Sequence, residues 1–220
     1  MKVLGILGSP HSDGPSAFLL KVALKAANSI GAEIELISVY DGKIEPCKGC
    51  VQDEEPNCKF PCIYDDFGKV ILEKIYTADG IIFATPIYWF APSGPMKLLI
   101  DRMTCLENMV AYGEPSYMEG KVVGVIAIGA DAGGPWVGGY LITTFTCMGA
   151  IIPPWGIAYC HKAEQCIKDK KILMDAMNVG LLVTKTAMTV KGCIENIRFL
   201  EDEELMESIK KEVEEEFNKK

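Results

Sequence analysis

The chain has 220 residues, 49% hydrophobic and 24% charged, a balance typical of a folded globular protein and not of a disordered one. Its formal net charge is −8 and it has no basic stripe, which makes nucleic acid and anionic membranes unfavourable partners. The chain lacks an apolar run of roughly eighteen residues, and its first residues lack signal-peptide features. We therefore expect a cytoplasmic protein without a membrane span.

Short apolar runs alternate with segments of helical period, which predicts βαβ units and a parallel sheet. The predicted strands are Lys2–Leu7, Glu33–Val39, Asp79–Ala84, Lys121–Ile128 and a fifth that begins at Ala150–Ile152. The predicted helices are Ser16–Ile30, Asp65–Tyr76, Pro95–Leu106, Val137–Met148, Asp169–Val190 and Asp202–Lys220. The apolar stripe of the last helix (Leu205, Ile209, Val213) should dock on the domain. These elements predict one doubly wound, three-layer α/β domain over 1–220, with a helical extension over 160–220.

Loop one (8–16) follows the first strand and leads directly into a helix. It reads Gly8-Ser9-Pro10-His11-Ser12-Asp13-Gly14-Pro15-Ser16. Backbone N–H groups at a helix start bind anions, serine hydroxyls can donate hydrogen bonds, and a histidine can add positive charge. An ordinary βα turn is the alternative, but the position after the first strand favours a phosphate site. The loop matches neither the dinucleotide-binding nor the nucleoside-triphosphate glycine motif.

Two more loops follow the third and fourth predicted strands. Loop two (85–94) is rich in proline and aromatic residues, so it can present N–H groups to a planar heterocycle and cover its face. Core packing of Tyr88 and Trp89 is the alternative for this loop. Loop three (129–136) is rich in glycine, which lets a ligand approach the backbone closely. Because parallel strands end at one edge of a sheet, the three loops together predict a cofactor site.

The three loops resemble the flavodoxin-like NAD(P)H-dependent FMN reductase superfamily. The resemblance covers roughly residues 1–152 and rests on Gly8-Ser9-Pro10-His11…Gly14-x-Ser16, Thr85-Pro86-Ile87-Tyr88-Trp89 and the stretch Gly94 to Arg102. It implies a flavodoxin-like five-stranded parallel sheet with FMN as cofactor. The implied phosphate site consists of Ser9, His11, Ser12, Gly14 and Ser16. The implied flavin-ring site consists of Thr85, Pro86, Ile87, Tyr88 and Trp89 on one side and Gly129, Asp131, Gly133 and Gly134 on the other.

The chain has nine cysteines, and four of them lie in one loop, the cysteine loop (41–64), with the spacing Cys47-x2-Cys50-x7-Cys58-x3-Cys62. In a reducing compartment such clustering indicates metal or redox chemistry. The loop is similar to the motif of iron–sulfur flavoproteins, in which a [4Fe–4S] cluster exchanges electrons with FMN. The match is good at Cys62-Ile63-Tyr64-Asp65-Asp66, but the gap from Cys50 to Cys58 is longer than in that motif. A cluster, a zinc ion and a metal-free thiol pair therefore stay open.

The other cysteines and one run of charges fit structural roles. Three cysteines lie on apolar patterns and are expected in the core: Cys105, Cys147 and Cys193. Cys160-His161-x4-Cys166 is interpreted as structural in preference to a second metal site. Lys97 and Asp101 are spaced as a helical surface pair, and the resemblance implies a structural or subunit-contact role for them and Arg102.

The implied function is that of an FMN-dependent oxidoreductase, whose chemistry takes place on the flavin and needs no catalytic side chain. With a cluster, a one-electron donor such as ferredoxin would reduce the cluster, which would then feed FMN. Without one, NAD(P)H would reduce FMN directly, and a quinone, flavin or metal compound would accept. A non-enzymatic flavodoxin-type electron carrier and a zinc-stabilised interaction module are the alternatives from other classes. The resemblance also implies a homodimer or homotetramer.

Overall fold

The computed structural model of the protein describes residues 1–52, 57–193 and 202–217. The strands are β1 (Lys2–Leu7), β2 (Glu33–Ser38), β3 (Gly80–Tyr88), β4 (Ala91–Pro92), β5 (Val122–Ile128) and β6 (Ile157–Cys160). The helices are α1 (Pro15–Ser29), α2 (Phe67–Thr77), α3 (Gly94–Arg102), α4 (Thr104–Glu107), α5 (Gly134–Cys147), α6 (Ala163–Cys166), α7 (Lys170–Val190) and α8 (Glu203–Phe217). Short 3₁₀ turns lie at Cys50–Gln52 and Asn108–Tyr112.

Five parallel strands pair in the order β2-β1-β3-β5-β6, and β4 adds a short antiparallel hairpin to β3. Val3 of β1 lies opposite Ile34 on one side and Gly80 on the other. Among the parallel strands this is the flavodoxin-like doubly wound order, which confirms the predicted fold class. All seven residues of β5 are buried, because helices cover both faces of a doubly wound parallel sheet.

Two apolar cores lie on opposite faces of the sheet. On one face Phe83 of β3 stacks on Phe145 of α5, with ring centroids 4.3 Å apart. On the other face Leu20 of α1 packs in the same cluster as Val179 and Val183 of α7. Helix α7, which lies within the predicted helical extension, therefore packs as part of an outer layer of the domain.

Two strand predictions were wrong in their bounds, and proline explains both. The fifth parallel strand is β6, whereas Ile151 of the predicted segment forms only an isolated bridge to Val122, since the prolines at 153 and 154 lack N–H donors. Strand β3 continues past its predicted end at Ala84. Pro86 is tolerated there because β1 has already ended, and Pro86 pairs only with β5.

The C-terminal helix differs from its prediction in its packing. Within the described residues its apolar stripe is not docked, since Leu205, Ile209 and Val213 are 47%, 53% and 45% exposed. The 3.6-residue period predicted an amphipathic helix correctly, but periodicity does not say what covers the apolar face. The predicted residues 218–220 lie outside the described residues. No described helix is long and apolar enough to cross a bilayer.

Candidate functional site

Loops one and two are in direct contact at the carboxyl edge of the sheet. The backbone N–H of Gly8 donates to the carbonyl of Ala84 at 2.7 Å, which ties the end of β1 to β3. A Cβ added at Gly8 would lie 2.8 Å from Cε of Met96 and 3.1 Å from Oγ1 of Thr85. Glycine at this position thus permits the close approach of loop two and α3, since an added Cβ would displace the Met96 methyl and crowd the Thr85 hydroxyl.

Loop one leads into α1 with buried serine hydroxyls and no side-chain cap. Ser9 and Ser16 are buried, and the Ser9 hydroxyl accepts a hydrogen bond from the backbone N–H of His11 at 3.1 Å. The N-cap of α1 is Gly14, which supplies no side-chain cap. N–H groups of the first helical turn are thus free to bind an anion. His11 and Ser12 lie exposed at the mouth of the loop.

Lys21 is a candidate anion-binding residue that the sequence analysis missed. It lies on the second turn of α1, and its ammonium group donates to the carbonyl of Ser12 at 3.0 Å. Helical side chains point toward the N-terminus, so a lysine on this turn reaches back over loop one. That direction is the signal by which the residue could have been found.

Loop two is a tight hairpin whose turn exposes large aromatic rings. Ile87 pairs with Pro92 and Tyr88 with Ala91, which leaves Trp89 and Phe90 as the turn. Both turn residues have positive φ, 51° and 61°, in a region where bulky side chains are strained. Trp89 is 96% exposed and Tyr88 45% exposed, so the core-packing alternative for these two residues is wrong.

Buried hydrogen bonds fasten the hairpin to α3. The hydroxyl of Thr85 accepts from the backbone N–H of Ser93 at 3.1 Å and donates to the carbonyl of Pro86 at 2.9 Å. Ser93 is itself the N-cap of α3, where its hydroxyl accepts from the N–H of Met96. These hydrogen bonds therefore fix the position of the aromatic turn relative to α3.

Loop three packs against loop two. Gly133 is the N-cap of α5 with φ +92°, and a Cβ there would lie 3.1 Å from side-chain atoms of both Ile87 and Phe90. Gly129 is buried and its N–H donates to the carbonyl of Cys160 at 2.8 Å, which ties loop three to the end of β6. The three loops thus form one continuous rim. Further along loop three Asp131 is exposed and Gly134 is buried.

The four predicted thiols of the cysteine loop lie within electrostatic reach of one another. Cys50 and Cys58 are buried, while Cys47 and Cys62 are partly exposed. Burial raises the pKa of Cys58, and the charge and hydrogen bond of Cys50 raise it further. The charges of Cys47 and Cys62 add to this effect, and the pKa of Cys58 reaches about 12. Ionisation of the Cys58 thiol is therefore unfavourable unless a positive charge compensates it.

A fifth cysteine, Cys105, adjoins this group. A hydrogen bond with Cys105 lowers the pKa of Cys62 to about 5 against the opposing effect of burial, helped by the backbone of Tyr64 and the charge of Arg102. The same bond and burial raise the pKa of Cys105. Cys105 is buried as predicted. Its contact with the thiol of Cys62 was not predicted, because an apolar helical pattern does not show which residue packs against it.

A buried ion pair lies beneath Cys62. Arg102 is 1% exposed and forms a two-pronged pair with Asp66 at 2.9 and 3.2 Å. Burial would raise the pKa of Asp66, but the bonds from Arg102 and from the backbone N–H groups of Glu45 and Lys69 hold it below its ordinary value. The nearby pair of Lys97 and Asp101 is half exposed, which confirms that it is a surface pair.

Comparisons with known proteins show which family the chain belongs to. Residues 1–165 match the family model described as NADPH-dependent FMN reductase. The chain belongs to this family. An iron-sulfur flavoprotein of Methanocaldococcus jannaschii is 38% identical over 135 residues, which are 61% of this chain and 65% of that protein. An iron-sulfur flavoprotein of Archaeoglobus fulgidus is 32% identical over 211 residues, 90% of this chain and 99% of its own.

Membership of the NADPH-dependent FMN reductase family confirms the resemblance drawn from the loops and assigns the chain to a family of FMN-dependent oxidoreductases. The chain spans just under two thirds of the first two iron-sulfur flavoproteins it matches, 65% and 64% of their lengths. A crystal structure of RosB with bound 8-demethyl-8-formylriboflavin-5'-phosphate superposes with a TM-score of 0.74 at 18% identity, covering 87% of this chain and 81% of RosB. This likeness supports the fold alone.

The residues of the rim fit the FMN that the family description names, and the cysteine loop supplies thiols. The uncapped start of α1 and the buried serines of loop one fit a phosphate, and the exposed rings of loop two fit a planar heterocycle. The thiols of the cysteine loop are the ligand type of iron–sulfur clusters. Within residues 1–52, 57–193 and 202–217, however, no group of three or more histidine, cysteine, aspartate or glutamate side chains is arranged to hold a metal ion.

The remaining cysteines are divided between a disulfide and the surface. Cys160 and Cys166 are joined in a disulfide beside loop three, which agrees with a structural role. Cys147 and Cys193 are exposed, so their predicted core packing was wrong. Cys147 falls on the solvent side of α5, and Cys193 follows the end of α7, where a helical pattern no longer fixes a buried face.

Proposed function

We propose that this chain is an FMN-dependent oxidoreductase, a single domain over 1–220 that couples FMN at loops one to three with a [4Fe–4S] cluster in the cysteine loop. The observation that carries the proposal is the continuous rim of the three loops at the carboxyl edge of the sheet, next to the uncapped start of α1. Ligands of open α/β sheets bind at this edge, where the strand order reverses.

The proposed FMN contacts divide into a phosphate end and a ring end. The buried hydroxyls of Ser9 and Ser16, with the first N–H groups of α1, would bind the phosphate, and His11, Ser12 and Gly14 would complete its loop. The ring would lie between loop two and loop three, which involves Thr85, Pro86, Ile87, Tyr88, Trp89, Gly129, Asp131, Gly133 and Gly134. FMN supplies the redox chemistry when bound, and these residues orient it and restrict its access to water.

The proposed cluster ligands are Cys47, Cys50, Cys58 and Cys62. Their mutual electrostatic contact and the names of the iron-sulfur flavoprotein relatives support this assignment. Zinc is the weaker candidate, since a structural zinc site gathers its sulfurs about 2.3 Å from one ion and the described side chains form no such group. A cluster distributes its four thiolates around a larger body.

A second candidate function is a cluster-free NAD(P)H-dependent reductase that passes electrons from FMN to a quinone or another flavin. The lack of a ready metal-binding group in the described residues, together with the family description, favours this candidate. In the first candidate a ferredoxin-type protein is the donor. Both are proposed as cytoplasmic homodimers or homotetramers, and a non-enzymatic carrier of the flavodoxin type is the alternative to catalysis.

Steady-state turnover separates these functions. The FMN-loaded protein, prepared anaerobically, is assayed with a quinone acceptor and either NADPH or reduced ferredoxin as donor. Turnover with ferredoxin that requires bound iron supports the two-cofactor oxidoreductase. Turnover with NADPH that is equal in iron-free protein supports the second candidate. Failure with both donors, despite bound FMN, would leave the electron carrier and refute the oxidoreductase.

A further inference from the structure

Arg102 is the largest side chain that the described fold buries completely. It lies at the end of α3, and its guanidinium is surrounded by the cysteine loop. Burying a charge is costly unless it is paired and its donors are satisfied. The groups that pair with this guanidinium therefore explain why the fold can bury it.

These partners belong to both arms of the cysteine loop. On the entering arm Arg102 donates to the carbonyl of Glu45 at 3.1 Å. On the returning arm its Nε–H donates to Sγ of Cys62 at 3.1 Å, and the guanidinium lies 4.6 Å from the ring centre of Tyr64. Asp66, its ion-pair partner, accepts the N–H of Glu45 at 2.8 Å. One buried pair thus ties both arms of the loop to α3.

We propose that Arg102 is a positioning residue for the cluster, holding Cys62 in its ligating place and stabilising the negative charge that the cluster gains on one-electron reduction. The inference rests on the proposed cluster and deepens it. Hydrogen bonds to ligand sulfurs and nearby positive charge raise the reduction potential of an iron–sulfur cluster, because the reduced form is the more negative one. The electron comes from an external one-electron reductant. No proton is transferred, and no covalent bond forms or breaks.

A purely structural ion pair would behave differently. Its loss would lower the stability of the loop, but the potential of any cluster that still assembled would stay the same. The bond from Nε–H of Arg102 to Cys62 distinguishes the positioning role from the purely structural one. Asp66 accepts from backbone N–H groups and from the guanidinium, but it is not bonded to a thiol. Measuring the reduction potential of the cluster therefore distinguishes the two roles, whereas measuring the stability of the loop does not.

The test compares three variants of the FMN-loaded, anaerobically reconstituted protein. Asp66→Asn keeps Arg102 and its bond to sulfur. Asp66→Asn combined with Arg102→Met removes both charges, so no unpaired buried ion is left behind. Lys69→Met removes a nearby surface pair with Asp65 and serves as the matched control. The cluster potential is measured by dithionite titration with electron paramagnetic resonance, and the FMN potential in the same sample serves as an internal reference.

The equilibrium constant for reduction of the cluster should be at least tenfold lower in the double variant than in Asp66→Asn. This corresponds to a reduction potential that is about 59 mV more negative for a one-electron couple. Lys69→Met and the FMN potential should stay at the wild-type value. Equal cluster potentials in Asp66→Asn and the double variant would overturn the proposal. If the double variant does not fold, Asp66→Asn combined with Arg102→Gln takes its place, since it removes the charge and keeps a neutral side chain of similar length. Its cluster potential should also shift to a more negative value than that of Asp66→Asn, and an equal potential would overturn the proposal.

Failure of this inference is distinguishable from failure of the proposed function. Wild-type protein that binds FMN but takes up no iron and sulfide would refute the cluster and, with it, this role of Arg102. Wild-type protein that assembles a cluster whose potential is independent of Arg102 would refute the inference alone.

Discussion

The rim of loops one to three and the cysteine loop are held in place by different means. The rim consists of short turns between strands and helices, fastened by backbone hydrogen bonds such as Gly8 to Ala84 and by glycines at close contacts. The cysteine loop is long, and a buried side-chain pair, Arg102 with Asp66, fastens it. The comparison teaches that the rim depends on backbone shape, whereas the cysteine loop depends on a few side chains.

The largest effect should come from removing one of the proposed cluster ligands. Cys58→Ser should lower bound iron and acid-labile sulfide to near zero, because a cluster relies on its cysteine thiolates, while FMN binding should persist. Iron, sulfide and FMN are measured on anaerobically reconstituted protein. Cys147→Ser, a change at an exposed cysteine far along α5, is the control and should retain iron. Full iron content in Cys58→Ser would remove that residue from the ligand set.

The backbone dependence of the rim is tested at Gly8. Gly8→Ala places a Cβ 2.8 Å from the Met96 methyl and 3.1 Å from the Thr85 hydroxyl, so Met96 must repack and the contact between loops one and two is crowded. We expect FMN affinity to fall about tenfold, roughly 1.4 kcal/mol, with iron binding unaffected. Fluorescence titration with FMN measures the change. Gly139→Ala, where an added Cβ meets open space, should bind FMN like the wild type, and equal losses in both variants would contradict the account.

The side-chain dependence of the cysteine loop should appear as a pH effect. The pKa of Asp66 is lower in the folded chain than its ordinary 3.8, so the ionised form stabilises the fold above that value, and this contribution is lost as the pH falls through the lowered pKa. Asp66→Asn lacks this contribution. Its deficit in urea-unfolding free energy should therefore be largest at neutral pH and shrink in acid. A deficit that is constant with pH would show that the charge of Asp66 is not what stabilises the loop.

The smallest expected effect concerns Lys21. Its ammonium bonds to a loop-one carbonyl at the surface, where a charge contributes about 0.2–1 kcal/mol, so Lys21→Ala should weaken FMN binding a few-fold at low salt and less at high salt. Lys25→Ala, one turn further along the same exposed face, is the matched control. Equal FMN affinities for the two variants at low salt would assign Lys21 no part in the phosphate site.

The sequence predicted the rim better than the cysteine loop, and the reason is physical. Strand ends and glycine turns follow from local patterns, so the sequence alone places the three loops at one edge. The neighbour of Cys62 could not be predicted, because Cys105 and Arg102 are about forty residues away and meet it only through tertiary packing. The hairpin at Trp89 and Phe90 was missed as well, since neither residue type favours positive φ.

The visible absorption spectrum of anaerobically prepared protein, recorded before and after dithionite, tests the central claim most directly. The account predicts flavin bands on top of a broad iron–sulfur absorption that dithionite bleaches. A spectrum without flavin even after addition of FMN would contradict the assignment of the rim. Flavin bands without the broad absorption, after reconstitution with iron and sulfide, would contradict the assignment of the cysteine loop.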